Sequence, residues 1–535
     1  MEKFLPVGIQ IFEQMIRGNF YYVDKTRYIY EMVRPPQGFY FLARPRRFGK
    51  SLTVSTLENL FRGNKDLFRG LWIEQTDWEW KPHPVIKIDF SAIGLNTDEV
   101  LENDLILHVR TLAENNGISL PGSGSLSWLF TNLIVNLSKK YQERVVVLMD
   151  EYDKPIIQHI GRGEEHLKIA KANRDKLKQF FGVLKGADVS AALRFVFITG
   201  ISKFARVSIF SDLNNLNDIS MQEKYDAILG YTEDELRAVF QPEISRLADK
   251  ELVKPADLLK KIGNWYNGYR FTESETKVCN PFSLVKLFDV GKFDNYWFET
   301  ATPTFLMNLI QEQNYPLPDI ETLILEKEAF SVYELENPDL EPLLFQTGYL
   351  TIRHFDDHLY HLGYPNREVK TSFLSYLYRR MIPMKNRSLQ SAHKRLQVCL
   401  NEKKIDDFIA IVRSIMANIP YVQIANQDEA YYHTVFYLML SSSGVDVDTE
   451  VLSSMGRLDM KAEFSDKIYI IELKCDLSSD KAVEQILKKR YYEQYLHSGK
   501  DIYLMGISFD KEKRTVEDYK WGTLREFLTD SSVPG

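Results

Sequence analysis

Residues 39–61 read FYFLARPRRFGKSLTVSTLENLF, and the parsing of this stretch decides the fold of the N-terminal part of the chain. Phe39–Ala43 is a short apolar run, residues 44–49 form a basic loop, and apolar residues then recur at helical spacing, so the order is strand, loop, helix. A loop that wraps phosphates needs glycines so that backbone N–H groups can turn inward. It also needs a lysine for the outer phosphate oxygens and a hydroxyl for Mg2+. Gly49, Lys50 and Ser51 supply the second half of that pattern, directly before a helix N-terminus that favours anions. The first glycine position holds Arg44, Pro45 lacks an N–H, and Arg46 and Arg47 offer side-chain cations where other loops rely on backbone.

Moving outward, PVIKIDF (84–90), RVVVLMD (144–150) and RFVFITG (194–200) are continuous apolar runs, as parallel strands buried on both faces require. Helical stretches separate them, so residues 1–205 read as an α/β domain with a mostly parallel sheet. In VVVLMDEYD, Asp150 and Glu151 end a buried strand, where one carboxylate can support Mg2+ and the next can polarise a water. An acidic turn after a strand is the plain alternative, and the order loop, then acidic strand end, favours nucleotide binding. Thr199 ends the next strand, with Ser202, Lys203 and Arg206 close behind it, as γ-phosphate contacts or as ordinary loop residues, and the pattern selects no arginine finger.

Residues 206–405 turn mainly helical. Within them, EPLLFQTGYLTIRHFDDHLYHLGYP (341–365) predicts a helix followed by a hairpin turning at Asp356–Asp357, the order of a winged-helix wing. No basic recognition helix accompanies it, so a packing module is favoured over a DNA reader. Residues 406–535 read as a separate unit in the order helix, three strands, helix, strand.

In that unit GRLDMKAEFSDKIYIIELKC (456–475) holds Glu472 and Lys474 two apart on a strand, hence on one face. A hairpin centred on Ser465–Asp466 makes facing residues sum to 931, which sets Asp459 opposite Glu472, within roughly 5.5 Å between Cα atoms. Like charges so placed need a cation, and oxygen donors suit Mg2+ or Mn2+. Lys474 can orient or help deprotonate a water. The alternative is an exposed hairpin face of mixed charge. Glu429, at the start of the preceding helix, supplies a further carboxylate for the metal. Gln485, on the following helix, reaches back toward the site, while His433 is read as a packed helix residue.

Composition bounds these readings. With 535 residues, 44% hydrophobic and 26% charged, the chain predicts several soluble domains. No apolar run of about 18 residues and no apolar signal core occur, so neither a membrane nor export is expected. Three widely spaced cysteines fit a reducing cytoplasm and exclude a cysteine-based zinc cluster. The net charge of −7 means that nucleic-acid affinity must be local. Residues 401–535 hold 17 basic and 23 acidic side chains, which weighs against a nuclease unless a groove or a metal offsets the repulsion.

YYVDKTRYIYEMV, RPRRFGKSLTVSTLENLF, MDEYDKPI and TGISKFARVSIFSDLNNLNDIS resemble the bacterial AAA-ATPase-like proteins that carry a C-terminal nuclease-like domain of the PD-(D/E)XK superfamily. WYNGYRF, NYWFETATPTFL and LGYPNREV extend the resemblance over nearly the whole chain. It implies a P-loop NTPase module, a helical and winged-helix-like connector, and a restriction-endonuclease-like α/β C-terminal domain. Arg44 is then a family variant. Gly49, Lys50 and Ser51 match the phosphate loop, and Asp150 with Glu151 match the acidic strand end. Asp459, Glu472 and Lys474 match the nuclease signature, with Glu429 and Gln485 as outer members. The literal Pro-Asp is broken by Leu458. The expectation is therefore an ATP- and Mg2+-using ATPase and nuclease acting on nucleic acid, DNA favoured, that can assemble with copies of itself. The alternative is a nucleotide-switched binding or signalling protein with an idle nuclease fold.

Overall fold

Five strands, β1 (Gly38–Ala43), β2 (Val85–Asp89), β3 (Val145–Asp150), β4 (Leu193–Gly200) and β5 (Asn217–Asp218), form a sheet in the order β2-β3-β4-β1-β5. Every pairing is parallel. The computed structural model describes residues 3–530 except 95, 204–208, 211–212, 214, 302–303, 313–319, 321–322, 331–334, 336–337, 382–386, 420–428 and 454–455. All residues of β1, β3 and β4 are buried, which is why these strands read as unbroken apolar runs. The strand order places β4 between β1 and β3, so the loops leaving all three emerge together at the carboxyl edge of the sheet. Crevices at that edge are where open α/β sheets take ligands.

The chain divides into two compact units. The first comprises residues 1–314 and 324–369. Beyond the sheet it contains helices Glu233–Val239, Gln241–Glu251, Pro255–Tyr266 and Pro281–Val290. Phe240, at the junction of the first two, shares one core with Ile244, Leu258, Ile262, Leu284 and Phe288. Thr232 and Glu235 form a reciprocal capping box at the first of them. Helix Leu340–Thr347 then leads into a hairpin of β7 (Thr351–Asp356) and β8 (Leu359–Gly363), with β6 (Ile324–Glu326) on the outer side of β8. The predicted helix and hairpin are present, but the turn lies one residue later, at Asp357–His358, since Asp356 pairs with Leu359 and Asp357 takes a φ of 54°.

The second unit comprises 315–323 and 370–535. It holds a mixed sheet ordered β13-β12-β11-β10-β9. Here β9 is Asp446–Ser453, β10 Gly456–Glu463, β11 Lys467–Cys475, β12 Asp501–Asp510 and β13 Thr515–Thr523. β11 and β12 run parallel, so a crossover is required, and helix Ser479–Lys488 supplies it. β13 is a strand that the sequence reading passed over. Its TVEDYKWGT is mostly polar and partly exposed, as befits an edge strand, and carries no apolar run.

Candidate functional site

At the carboxyl end of β1 the loop turns into helix Lys50–Phe61 through Gly49, whose φ of 102° is a conformation that side chains resist. Among the described residues no side chain caps this helix, which leaves its first N–H groups available to an anion. Lys50 folds back, its Nζ donating to the carbonyls of Arg44 and Pro45, each at 2.9 Å. Burial lowers its pKa, against the pull of Asp150, Glu151 and Asp153. Arg44 does not face the loop cavity. Its guanidinium turns inward, donates to the Ala43 and Ser220 carbonyls and lies 4.3 Å over the Phe271 ring. Arg47 keeps a φ of 66°, so the chain makes a left-handed turn there even without glycine.

Asp150 is buried at the end of β3, and burial raises its pKa, opposed by the Ser51 hydroxyl and Lys50. Its Oδ1 accepts the Glu151 N–H at 3.0 Å, and Glu151 adopts a φ of 53° with its carboxylate 3.4 Å from Lys154 Nζ. A cavity of about 470 Å3 opens against the loop, bordered by Arg46, Arg47, Lys50, Ser51, Glu151 and Lys154. Val7, Ile9, Ile228, Leu229, Phe282 and Val285 give it an apolar wall.

Beyond β4, Thr199 is fully buried and donates its hydroxyl to the Leu42 carbonyl at 2.8 Å. Lys203 pairs with Asp218 at 2.9 Å. Ser202 donates both its N–H and its hydroxyl to Asp153, while Arg206 lies outside the described residues. Asp153 was not singled out by the sequence reading. It stands at an N-cap position before a proline-led turn, yet its carboxylate serves the β4 exit loop, a long-range use that no local pattern announces. Lys25, in the YYVDKT motif, is likewise a tertiary tie, donating to the Ala227 carbonyl and to Glu235.

In the second unit the β10–β11 ladder pairs Met460 with Ile471 and Glu463 with Ile468, the register summing to 931. Beyond Met460 the carboxylate of Asp459 takes over the partner's backbone, accepting the Leu473 N–H at 2.8 Å. Glu472 has no exposed surface. Its Oε1 accepts Lys474 Nζ at 3.0 Å and the amide of Gln485, while its Oε2 is buried with no hydrogen-bond partner among the described residues. Gln485 arrives because Glu472 pairs across the sheet with Gly506, where a Cβ would collide with the Ser479 carbonyl. The crossover helix therefore sits directly on the strand. Lys474 is 3.6 Å from Glu429, and His433, one turn along the same helix, is 3.9 Å from Asp459. His433 is thus nearer the centre than its sequence position suggested.

Burial, then the Asp459 charge, raises the Glu472 pKa to about 7. Burial likewise raises that of Asp459, eased by His433. For Lys474 burial works downward, but Glu472, Asp459 and Glu429 outweigh it and the pKa rises. Among the described residues, no three His, Cys, Asp or Glu side chains converge on one metal position. Mg2+ commonly takes only one or two carboxylates and keeps several waters, so Asp459 with the unpaired Glu472 oxygen fits that ion's chemistry.

A family model described as a predicted AAA-ATPase matches residues 6–210, and one of the PD-(D/E)XK nuclease superfamily matches residues 427–519. An uncharacterized protein in the vnfD 5′ region of Azotobacter chroococcum mcd 1 is 38% identical over 527 residues, covering 96% of this chain and 98% of that one. Two solved structures align weakly. Cdc6p from Pyrobaculum aerophilum is 13% identical, with 45% of this chain and 51% of that one covered at a TM-score of 0.23. The ORC1 protein of Aeropyrum pernix in complex with DNA is 11% identical, with 65% and 90% covered at 0.26. At those scores neither bears on fold or function. The two domain matches and the full-length relative lead to one statement: the chain belongs to the family of AAA-ATPase-like proteins with a C-terminal PD-(D/E)XK nuclease-superfamily domain.

Proposed function

We propose that the chain binds ATP at the Gly49–Lys50–Ser51 loop and cleaves phosphodiester bonds of nucleic acid, DNA first among them, at Asp459, Glu472 and Lys474, with the nucleotide gating the cut. One observation carries the cleavage reading: among the described residues, a fully buried glutamate keeps an oxygen without a partner beside a second carboxylate and a lysine. A buried, unpaired carboxylate oxygen costs stability and persists where a ligand satisfies it.

Asp459 and Glu472 would hold Mg2+ or Mn2+, with Glu429 at the rim. When bound, the ion supplies Lewis-acid stabilisation of the phosphate and a water of lowered pKa. Gln485 fixes the rotamer of Glu472 so that Oε2 stays turned to the site. Lys474, held protonated by its carboxylate neighbours, offers positive charge to a phosphate oxygen and positions the attacking water. In the first unit Lys50 would leave its two loop carbonyls for phosphate oxygens. Ser51 and Asp150 would serve the accompanying Mg2+, and Glu151 would polarise the water. The apolar wall of the cavity suits a purine ring.

A panel of single-stranded, duplex and branched DNA and RNA, with Mg2+ or Mn2+ and with or without ATP, tests the reading. Cleavage is expected in wild type and its loss in Lys474→Ala with the fold retained, and equal cleavage by the variant sinks the assignment. ATP turnover is expected to fall by at least about 100-fold in Glu151→Gln while binding persists. A second reading, a nucleotide-switched binding protein with an idle nuclease fold, draws on the acidic balance of residues 401–535. Divalent-metal binding without cleavage of any substrate in the panel would favour it.

A further inference from the structure

Residues 46 and 47 of the phosphate loop are both held from outside the loop. The Arg46 carbonyl accepts the indole Nε1–H of Trp297 at 3.1 Å, and the Arg47 guanidinium lies 5.0 Å over the Phe282 ring. Trp297 belongs to helix Tyr296–Ala301, and Phe282 to the first turn of helix Pro281–Val290. Both helices are tied at their beginnings to one carboxylate. Glu368 accepts the Trp297 backbone N–H at 2.7 Å and the Ser283 hydroxyl at 2.8 and 3.1 Å on its two oxygens. It has no exposed surface and does not line the nucleotide cavity. It is the second residue of helix Arg367–Met381, the element in which the chain passes from the first unit to the second.

The packing around these bonds leaves little slack. Trp297 is fully buried beside the Tyr349 ring at 5.3 Å. Gly348, at a φ of 90°, sits where a Cβ would come within 2.8 Å of Pro45 and 3.4 Å of the Trp297 ring. The Arg46 carbonyl and the Arg47 N–H are opposite ends of one planar peptide. Turning that N–H toward a phosphate therefore rotates the carbonyl that Trp297 holds. A phosphate ligand would also compete with Phe282 for the Arg47 guanidinium, and in a close-packed interior both shifts would be passed on to the helix starts that Glu368 ties together.

We propose that Glu368 is the node of a relay coupling phosphate-loop occupancy to helix Arg367–Met381, with Trp297 and Phe282 as its two arms. The relay rests on the nucleotide reading of the cavity. It uses residue 46 through its backbone carbonyl and Arg47 through its guanidinium, so each reports on the loop through a different helix. Coupling is reciprocal, so Glu368 substitutions alter nucleotide affinity although Glu368 is remote from the cavity.

The test is hydrogen exchange on the full chain with and without Mg2+-ATP, with nucleotide affinity measured separately by titration calorimetry. In wild type, ATP changes exchange in peptides covering 44–52 and also 367–381. In Trp297→Phe, which keeps a ring but loses the donor, and in Glu368→Gln, which keeps the shape, the 44–52 response remains. The 367–381 response is lost, and affinity changes by about fivefold. ATP binding by wild type with 367–381 unmoved overturns the relay and leaves the nucleotide reading standing, and so does an undiminished response in both variants. Failure of wild type to bind nucleotide removes the nucleotide reading and the relay with it.

Discussion

Two buried glutamates, one in each unit, carry most of what can be tested at single residues. Glu472 keeps an unpaired oxygen, and burial together with Asp459 disfavours its charge. Glu472→Gln removes that charge and is expected to stabilise the metal-free second unit by about 2 kcal/mol at pH 8, read from its urea midpoint. The same variant is expected to lose both cleavage and the stabilisation that Mn2+ gives the wild type. Glu368 sits in the first unit with burial raising its pKa from 4.5 to about 7, and Asp294 adds to the rise. The native state therefore binds more protons than the unfolded chain between those values, and stability contributed by this group is full below about pH 4.5. It is lost as pH climbs through 7, by up to about 3 kcal/mol. The difference in unfolding free energy between wild type and Glu368→Gln, measured at pH 5 and pH 8, checks this, and a difference that does not change with pH contradicts it. Neither glutamate announced its burial locally. Glu472 was legible because the ExK spacing and the hairpin register point to it, whereas Glu368 lies in a helix start, PNREVK, with nothing to distinguish it.

At the scale of elements, the crossover between β11 and β12 is what brings Gln485 to Glu472. That crossover tolerates no side chain at Gly506, whose Cβ would meet the Ser479 carbonyl and crowd Ala482 and Val483. Gly506→Ala is expected to push the Ser479–Lys488 helix off the sheet, costing about 1–3 kcal/mol. It should weaken Mn2+ binding through loss of the Gln485 contact. Calorimetric metal affinity unchanged in a folded variant would show that the helix does not set the site. The hairpin register was readable because a two-residue turn and strand alternation leave one pairing that keeps Leu458, Met460 and Ala462 in the core. β13 was not, since a partly exposed edge strand has no apolar run to betray it. In the phosphate loop, GKS and the strand before it were plain from type and order. The inward turn of Arg44 onto Phe271 depends on a residue more than 200 positions away.

For the molecule as a whole, two compact units with separate cores predict two thermal transitions. ATP is expected to raise mainly the transition of the unit that holds Lys50, and Mn2+ without nucleotide mainly that of the unit that holds Glu472, with the smaller shift of the other transition measuring the coupling between them. A ligand at 100 times its Kd contributes about 2.7 kcal/mol, enough to separate the two peaks by calorimetry. A single transition moved equally by either ligand would refute two separately folding units each holding its own site.

What could be read from the sequence alone was whatever depends on neighbours along the chain. The strand–loop–helix around Gly49, the acidic end of β3, the 931 register and the ExK face all follow from side-chain period and turn chemistry. Tertiary structure alone decided which polar groups lost their water. Only the fold could bury Glu472 with one oxygen unanswered, and only it could set Gln485 over that strand through a crossover helix. It alone hung residues 46 and 47 on helices that meet at Glu368. Desolvation is a property of everything packed around a group, and no window of sequence contains it.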